Sequence, residues 1–431
     1  MKIYRFPLKQ HVGKEAVPSV AAGDSVTRGQ LLAYPAEEAL SVPIHSSVSG
    51  IVTEVNEIEI VIQANDAQSD AYLPIRAATP LDAIKEAGIV GLGGAGFPTY
   101  VKLSSPIEGG TVLVNAAECE PILCHNMARI RQSAKEILKG LEIVMSLVKA
   151  KEGIIAIKEI HKEEISLLEK INASEHIRLT LLPNLYPMGE ERAIVREALG
   201  ELLPPDALPS KANALVINVE TLFRIYEAVE LKKPLIDKDL TIAGKIKGNH
   251  QKDLIQVFLD EPLGIATASL FEKAGGVSEG YGELIAGGPF TGKRTTMDAP
   301  LVKTTGGIIA TECFLPAPEK IGLLVCACGA GEERLRQIAA SMGSEVTGVE
   351  FCKQARNVRG NLKCENPGRC PGQVQKVMAL KKSGAQAVLI SNCTDCSNTV
   401  MSCAPKLGLP VYHCTDQALR AVNIPLIRKM K

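Results

Sequence analysis

Gly91-Leu-Gly-Gly-Ala-Gly-Phe-Pro-Thr99 is the stretch on which the reading of this 431-residue chain turns. Its first six residues satisfy G-x-G-x-x-G, but a dinucleotide fingerprint needs a buried strand directly before the loop. Here Pro80-Leu-Asp-Ala-Ile-Lys-Glu-Ala-Gly88 reads as a short helix, and only Ile89 and Val90 remain for a strand. Downstream, Pro98 is placed to begin a helix at its first position, where the missing N–H has no partner to lose. A glycine-rich turn at a helix start exposes backbone N–H groups that suit a phosphate. The expectation is a phosphate-binding loop and not a dehydrogenase fingerprint.

The surroundings of the loop, residues 76–238, are α/β. Met127 to Ala150 carries Ile130, Ala134, Ile137, Leu138, Leu141, Val144, Leu147 and Val148 on one stripe, the period of an amphipathic helix. Thr111–Asn115, Gly153–Ile157, Ile177–Leu182 and Ala214–Ile217 are short apolar runs that read as strands. Upstream, residues 1–75 are short β runs punctuated by Gly and Pro. Ala22-Gly-Asp-Ser-Val-Thr-Arg-Gly-Gln-Leu-Leu32 and Val42-Pro-Ile-His-Ser-Ser-Val-Ser-Gly-Ile-Val52 have the spacing of a barrel-sandwich module. They resemble the biotinyl/lipoyl type, whose hairpin tip carries a modified lysine. The tip here, Ala36-Glu-Glu-Ala-Leu-Ser41, has none, so a structural or docking barrel is expected. Residues 239–312 open with the strand Leu240–Gly244, continue into a helix near Ala268–Ala274 and then into Gly-rich turns, the outline of a small β-grasp (SLBB) unit.

Residues 313–431 hold most of the sulfur. Nine of the twelve cysteines lie in the last quarter of the chain. Cys326 and Cys328, Cys352, Cys393 and Cys396, and Cys414 each follow a β-branched-rich run bounded by turn residues. In an open parallel sheet the carboxyl ends of the strands share one edge, where ligands bind. Four strand ends would then bring thiols together, which points to an iron–sulfur cluster, a zinc site or a redox dithiol. Cys393-Thr-Asp-Cys396, at a strand end before a helix start, is the strongest pair. Cys326 and Cys328 come next, and Cys352, Cys364, Cys370, Cys403 and Cys414 are available to complete a centre. Cys313 and Cys124 read as buried small hydrophobes.

Composition sets bounds. Forty-eight basic residues balance forty-eight acidic ones, so no electrostatic footprint for nucleic acid is present. No apolar run reaches the roughly 18 residues of a membrane span, and the first residues lack a signal-peptide core. A cytoplasmic location is the expectation, and there clustered thiols are metal ligands or catalytic rather than staples.

Four segments then occur in one order: Gly91–Thr99 with Lys102, Asn115-Ala-Ala-Glu-Cys-Glu-Pro121, Tyr186-Pro-Met-Gly-Glu-Glu191 and Asn218-Val-Glu-Thr221. Together they resemble the NADH-binding flavoprotein component of respiratory complex I and the RnfC component of the Rnf electron-transport complex, over residues 1–312. The resemblance implies a Rossmann-like FMN/NADH domain. Gly91, Gly93, Gly94, Ala95, Gly96 and Lys102 would hold FMN, and Asn115, Glu118 and Glu120 would line its floor. Tyr186, Gly189, Glu190 and Glu191 would border the flavin and the incoming NAD(H). Phe97 would stack on the dinucleotide, and Asn218 and Thr221 would contact the flavin. Ala117 and Cys119 around Glu118 follow the Rnf pattern, whereas Gly189-Glu-Glu191 follows complex I.

The Rnf-type C-terminal ferredoxin run is replaced by the cysteine-bearing α/β domain. Flavin module plus this domain resembles the proline reductase-associated electron-transfer proteins. That implies an NADH-oxidising flavoprotein delivering electrons through Cys326, Cys328, Cys393 and Cys396 to a partner reductase, D-proline reductase. The C-terminal domain also resembles the small iron–sulfur subunit of methyl-viologen-reducing hydrogenases, which implies cluster ligands among Cys326, Cys328, Cys352, Cys364, Cys370, Cys393 and Cys396. The alternatives are an Rnf-type or cobalamin-reductase-type electron-transfer protein, and a scaffold that has lost flavin. A homo-oligomer is compatible with each.

Overall fold

The computed structural model describes residues 2–247 and 251–428. The N-terminal unit pairs a four-stranded sheet, in the order Ile3–Pro7, Glu59–Ala64, Gly50–Val55, Ser25–Val26, with a three-stranded one made of Val17–Pro18, Leu31–Tyr34 and Ile44–His45. Phe6, Val26, Leu32, Val52, Ile60 and Ile62 fill the space between them.

The second unit is a parallel sheet in the order Ile177–Leu182, Glu152–Lys158, Thr111–Ala116, Ala214–Asn218. Its two central strands are buried almost throughout, and their near-unbroken apolar runs are what helices on both faces require. Register places Asn115 beside Asn218 at the carboxyl edge. The long helix runs from His125 to Val148, two residues ahead of the expected span, and ends where Lys149 turns left-handed at φ 55°. Val90 makes only an isolated bridge to Pro98, so no strand precedes the glycine loop, as the sequence indicates. The helix after the loop is Thr99–Leu103, with Pro98 at its N-cap and not at its first position.

The third unit is a mixed five-stranded sheet, Ile255–Pro262, Asp237–Gly244, Gly307–Ala310, Leu284–Ala286, Lys293–Thr295, with the helix Thr267–Lys273. Between it and the second unit lies a buried ionic knot. Arg129 donates to both oxygens of Asp239 at 2.7 and 2.6 Å, and Arg224 reaches Asp239 at 2.9 Å and Asp260 at 2.8 Å. Burial pushes the Asp239 carboxyl up, but Arg224 and Arg129 outweigh it and hold the group well below the usual range.

The last unit is the expected parallel sheet, ordered Glu345–Phe351, Lys320–Val325, Ala387–Ile390, Val411–His413. It also contains an unexpected antiparallel hairpin, Ala355–Val358 with Asn361–Cys364. The unit docks on the second one. Thr394 N donates to Tyr186 O at 3.2 Å. Arg192 Nη2 donates to Cys364 O at 2.5 Å, and Arg196 Nη1 to Pro367 O at 2.8 Å. Tyr186 stacks on Phe290 of the third unit with ring centroids 3.6 Å apart.

Candidate functional site

The glycine loop, the carboxyl edge of the second unit's sheet and the hairpin of the last unit enclose a cavity of about 480 Å³. Of the residues expected at a flavin site, Gly91, Gly93, Gly94, Ala95, Gly96, Phe97, Lys102, Asn115, Gly189, Glu190, Glu191, Asn218 and Thr221 all line it. Local bonds explain the convergence. Asn115 Nδ2 donates to Gly189 O at 2.9 Å, tying the first strand's end to the segment before the helix Glu191–Leu199. Thr221 Oγ1 accepts from Leu92 N at 3.1 Å, fixing the loop to the helix Val219–Glu230. Asn218 caps that helix, and a Cβ on Gly93 would stand 2.7 Å from the Asn218 amide, so a side chain there would displace the cap. Lys102 Nζ meets Glu191 Oε1 at 3.0 Å. Glu190 caps the next helix, accepting from Arg192 N at 2.9 Å and Ala193 N at 3.0 Å.

Three expected residues lie elsewhere. Glu118 turns its carboxylate onto the start of the long helix, accepting from Asn126 N at 2.8 Å and Met127 N at 3.1 Å. Glu120 holds a loop of the third unit, accepting from Phe290 N at 2.8 Å and Thr291 N at 2.9 Å. Tyr186 is buried against the last unit and donates its hydroxyl to Cys328 O. Each is drawn away because a partner outside the local motif holds it.

The cavity also has walls that the sequence reading missed: Arg192, the turn Pro205–Pro209, and Val358, Arg359 and Lys363 of the hairpin. The turn residues Arg359-Gly360-Asn361 between two short alternating runs were the available signal for that hairpin. The residues fit a phosphate-bearing ring system. The volume is in the range of cofactor clefts, and a side chain at Gly94 would meet nothing within 4 Å, so the loop backbone is free to approach a ligand. Nη1 of the buried Arg192 has no partner.

Beyond the Gly189 segment, the seven expected thiols converge. Cys370 Sγ lies 3.3 Å and Cys352 Sγ 4.0 Å from Cys396 Sγ. Cys393 also contacts Cys396, Cys326 contacts Cys328 and Cys352, and Cys328 contacts Cys364. Asn392 Nδ2 donates to Cys396 Sγ at 2.9 Å, and Gln373 Nε2 to Cys352 Sγ at 3.1 Å. Contacts with Cys326 and Cys396 pull the Cys352 thiol down to about 3. Contact with Cys396 pulls Cys370 down to about 6. Cys396, in contact with Cys352, Cys370 and Cys393, is pushed up in return. The cluster is a network of thiols sharing protons. Its donor set is that of an iron–sulfur site, but among the described residues no three such side chains stand in metal-holding geometry.

The remaining cysteines stay outside. Cys403 donates back into its own helix, and Cys414 sits beside His413 Nδ1 at 3.7 Å. Cys313, expected to be buried, is exposed. Cys119 packs against the apolar core around the thiols, and burial pushes it up to about 12. No helix among the described residues is long and apolar enough to cross a membrane.

Comparison with known proteins agrees with this geometry. Residues 84–227 match the family model of the Nuo51 FMN-binding domain, and residues 1–71 that of the RnfC barrel sandwich hybrid domain. The chain is 32% identical over 324 residues to the C component of the Na(+)-translocating ferredoxin:NAD(+) oxidoreductase complex of Acetobacterium woodii, covering 70% of this chain and 72% of that protein. It is 36% identical over 247 residues to the cobalamin reductase PduS of Citrobacter freundii, covering 57% of this chain and 52% of that one. A further relative, the C component of the ion-translocating oxidoreductase complex of Pseudomonas aeruginosa, is 32% identical over 351 residues, 76% of this chain and 44% of that one. The chain thus spans about half the length of the latter two relatives.

Proposed function

Because the chain belongs to the RnfC family of electron-transport proteins and carries a Nuo51-type FMN-binding domain, we propose that it oxidises NADH at FMN and passes the electrons through its cysteine centre to a partner protein. The observation that carries this reading is one hairpin. Its outer residues Val358, Arg359 and Lys363 line the flavin cavity. Its base is held by Cys352, whose carbonyl accepts from Ala355 N at 2.9 Å, and it ends at Cys364. Donor site and thiol network are therefore two sides of one short segment.

FMN, when bound, accepts a hydride and releases electrons singly or in pairs. The chain's own residues then divide the work. The glycine loop and Lys102 offer backbone N–H groups and a cation to the flavin phosphate. Asn115 and Asn218 supply amides at the carboxyl edge of the sheet, and Phe97, 40% exposed on the cavity wall, offers a ring face for the nicotinamide. Cys393 and Cys396 stand at the start of the helix Thr394–Cys403, at the carboxyl end of the strand Ala387–Ile390.

The relatives' names favour an Rnf-type or cobalamin-reductase-type acceptor over D-proline reductase, which remains the narrower version of the proposal. The third unit serves in it as an SLBB-like brace. The test is anaerobic purification with flavin, iron and sulfide analysis, followed by the Cys393→Ser/Cys396→Ser variant. NADH-driven reduction of a small dye is expected to survive in that variant, and delivery to a protein acceptor to be lost. Protein that binds no FMN, or a double variant that still serves its acceptor at the wild-type rate, would overturn the reading. Loss of iron in the variant assigns a cluster; loss of titratable thiols alone assigns a dithiol.

A further inference from the structure

The cavity has a second cationic wall that the flavin motifs do not account for. Arg192, only 4% exposed, uses Nη2 on Cys364 O at 2.5 Å and Nε on Glu190 Oε1 at 3.0 Å, while its buried Nη1 has no partner. Beside it the hairpin brings Arg359 and Lys363 to the same cavity. The other hairpin arginine, Arg356, is engaged by Glu365 at 2.8 Å, whereas Arg359 and Lys363 carry no ion pair among the described residues. The acids nearby are largely spent: Glu191 is paired with Lys102 at 3.0 Å, and Glu190 is held by Arg192 and by the helix N–H groups that it caps. Only Asp206 adds an uncommitted carboxylate to the lining. A buried guanidinium with an unpartnered N–H is costly, and two further cations line the same cavity. Arginine forks suit phosphate oxygens in particular.

We propose that Arg192, Arg359 and Lys363 form a phosphate subsite for the pyrophosphate of the incoming dinucleotide. The flavin phosphate goes to the glycine loop of the second unit, and the dinucleotide phosphates go to the wall formed by Arg192 of the second unit with Arg359 and Lys363 of the last. The cysteine-bearing domain therefore takes part in choosing the electron donor as well as in receiving the electrons. Occupancy is communicated to the thiols, because Arg192 grips the carbonyl of Cys364 and the hairpin starts from the carbonyl of Cys352. This subsite rests on the reading of NADH as donor.

The test uses the full chain loaded with FMN and the exposed double variant Arg359→Ala/Lys363→Ala. Three quantities are measured: FMN content, the Kd of NAD+ by calorimetry, and competition by inorganic pyrophosphate. The expected result is unchanged FMN content, NAD+ bound roughly tenfold more weakly or worse, and loss of pyrophosphate competition. A variant that binds NAD+ as tightly as the wild type overturns the subsite and leaves the donor reading standing. A variant that loses FMN while any remaining holoprotein keeps its NAD+ affinity assigns the three cations to the flavin phosphate, which also overturns it. A wild-type protein that binds FMN but no NAD+ overturns both.

Discussion

Gly94 separates ligand from fold more cleanly than any other residue of the loop. A Cβ on Gly93 meets the Asn218 side chain at 2.7 Å, so a substitution there disturbs the helix cap, and Gly96 combines φ +74° with a Cβ 2.7 Å from Thr304, so a substitution there strains the backbone. A Cβ on Gly94 meets nothing within 4 Å. Gly94→Asp is expected to abolish FMN binding by setting a carboxylate where a phosphate approaches. With both proteins stripped of flavin, its stability should stay within about 0.5 kcal/mol of wild type. Retained flavin, read by absorbance after gel filtration, would remove the loop from the site. Glu120 gives the opposite result. The family pattern places it at the flavin floor, but here it accepts from Phe290 N and Thr291 N and so braces the loop whose Phe290 stacks on Tyr186. Glu120→Ala should leave FMN affinity intact and cost about 1–2 kcal/mol in denaturant unfolding, since two N–H groups lose their acceptor. An FMN Kd weakened tenfold at unchanged stability would restore Glu120 to the flavin floor.

Among the elements, strands buried on both faces were the easiest to read. Leu323, Leu324 and Val325, or Ala387–Ile390, are fully buried, so their sequences are continuous apolar runs and the thiols that follow could be assigned to one edge. The hairpin Ala355–Cys364 escaped notice for the converse reason. Half of its strand residues are exposed, they are Arg, Asn and Lys as often as apolar, and its end is gripped by Arg192 of another unit. The same physics hid the diversion of Glu118 and Tyr186, whose partners lie outside their own motifs or across a unit boundary. The convergence of thiols was legible, but the division of protons among them was not, because it depends on sulfur positions to a fraction of an ångström. That division is testable at Cys370, which is half-buried and is held down to about 6 first by its contact with Cys396 and then by Thr399, Gln373 and the Gly372 N–H. Its anaerobic alkylation by iodoacetamide, followed by mass spectrometry, should be nearly flat above about pH 7, because the thiolate is already formed there. A rate that keeps climbing to pH 9 would show that these contacts do not hold the Cys370 thiol down.

At the scale of the whole molecule, three units meet on one amine. Lys303 of the third unit is 1% exposed and donates through Nζ to Pro43 O of the barrel at 2.8 Å and to Gly88 O of the flavin domain at 2.9 Å. Burial alone lowers it to about 7. His45 of the barrel is pushed down to about 3, by burial first and then by Lys303. Both groups bind fewer protons in the folded protein than in the unfolded chain, so stability rises with pH across each gap. For His45 that stability is complete above its ordinary value near 6.5 and is lost as pH falls toward 3. For Lys303 the gain begins near 7 and continues toward 10.5. Between pH 7 and 9 only the lysine gap is crossed at this junction, and linkage gives about 2 kcal/mol of added stability. Lys303→Met is expected to be less stable overall, since two buried carbonyls lose a donor, but its unfolding free energy should lack that rise. The comparison is therefore one of slopes, taken from urea unfolding of wild type and variant at pH 7, 8 and 9. Parallel slopes would mean that the amine stays charged at the junction and that the three units are held together there by an ion and not by a neutral donor.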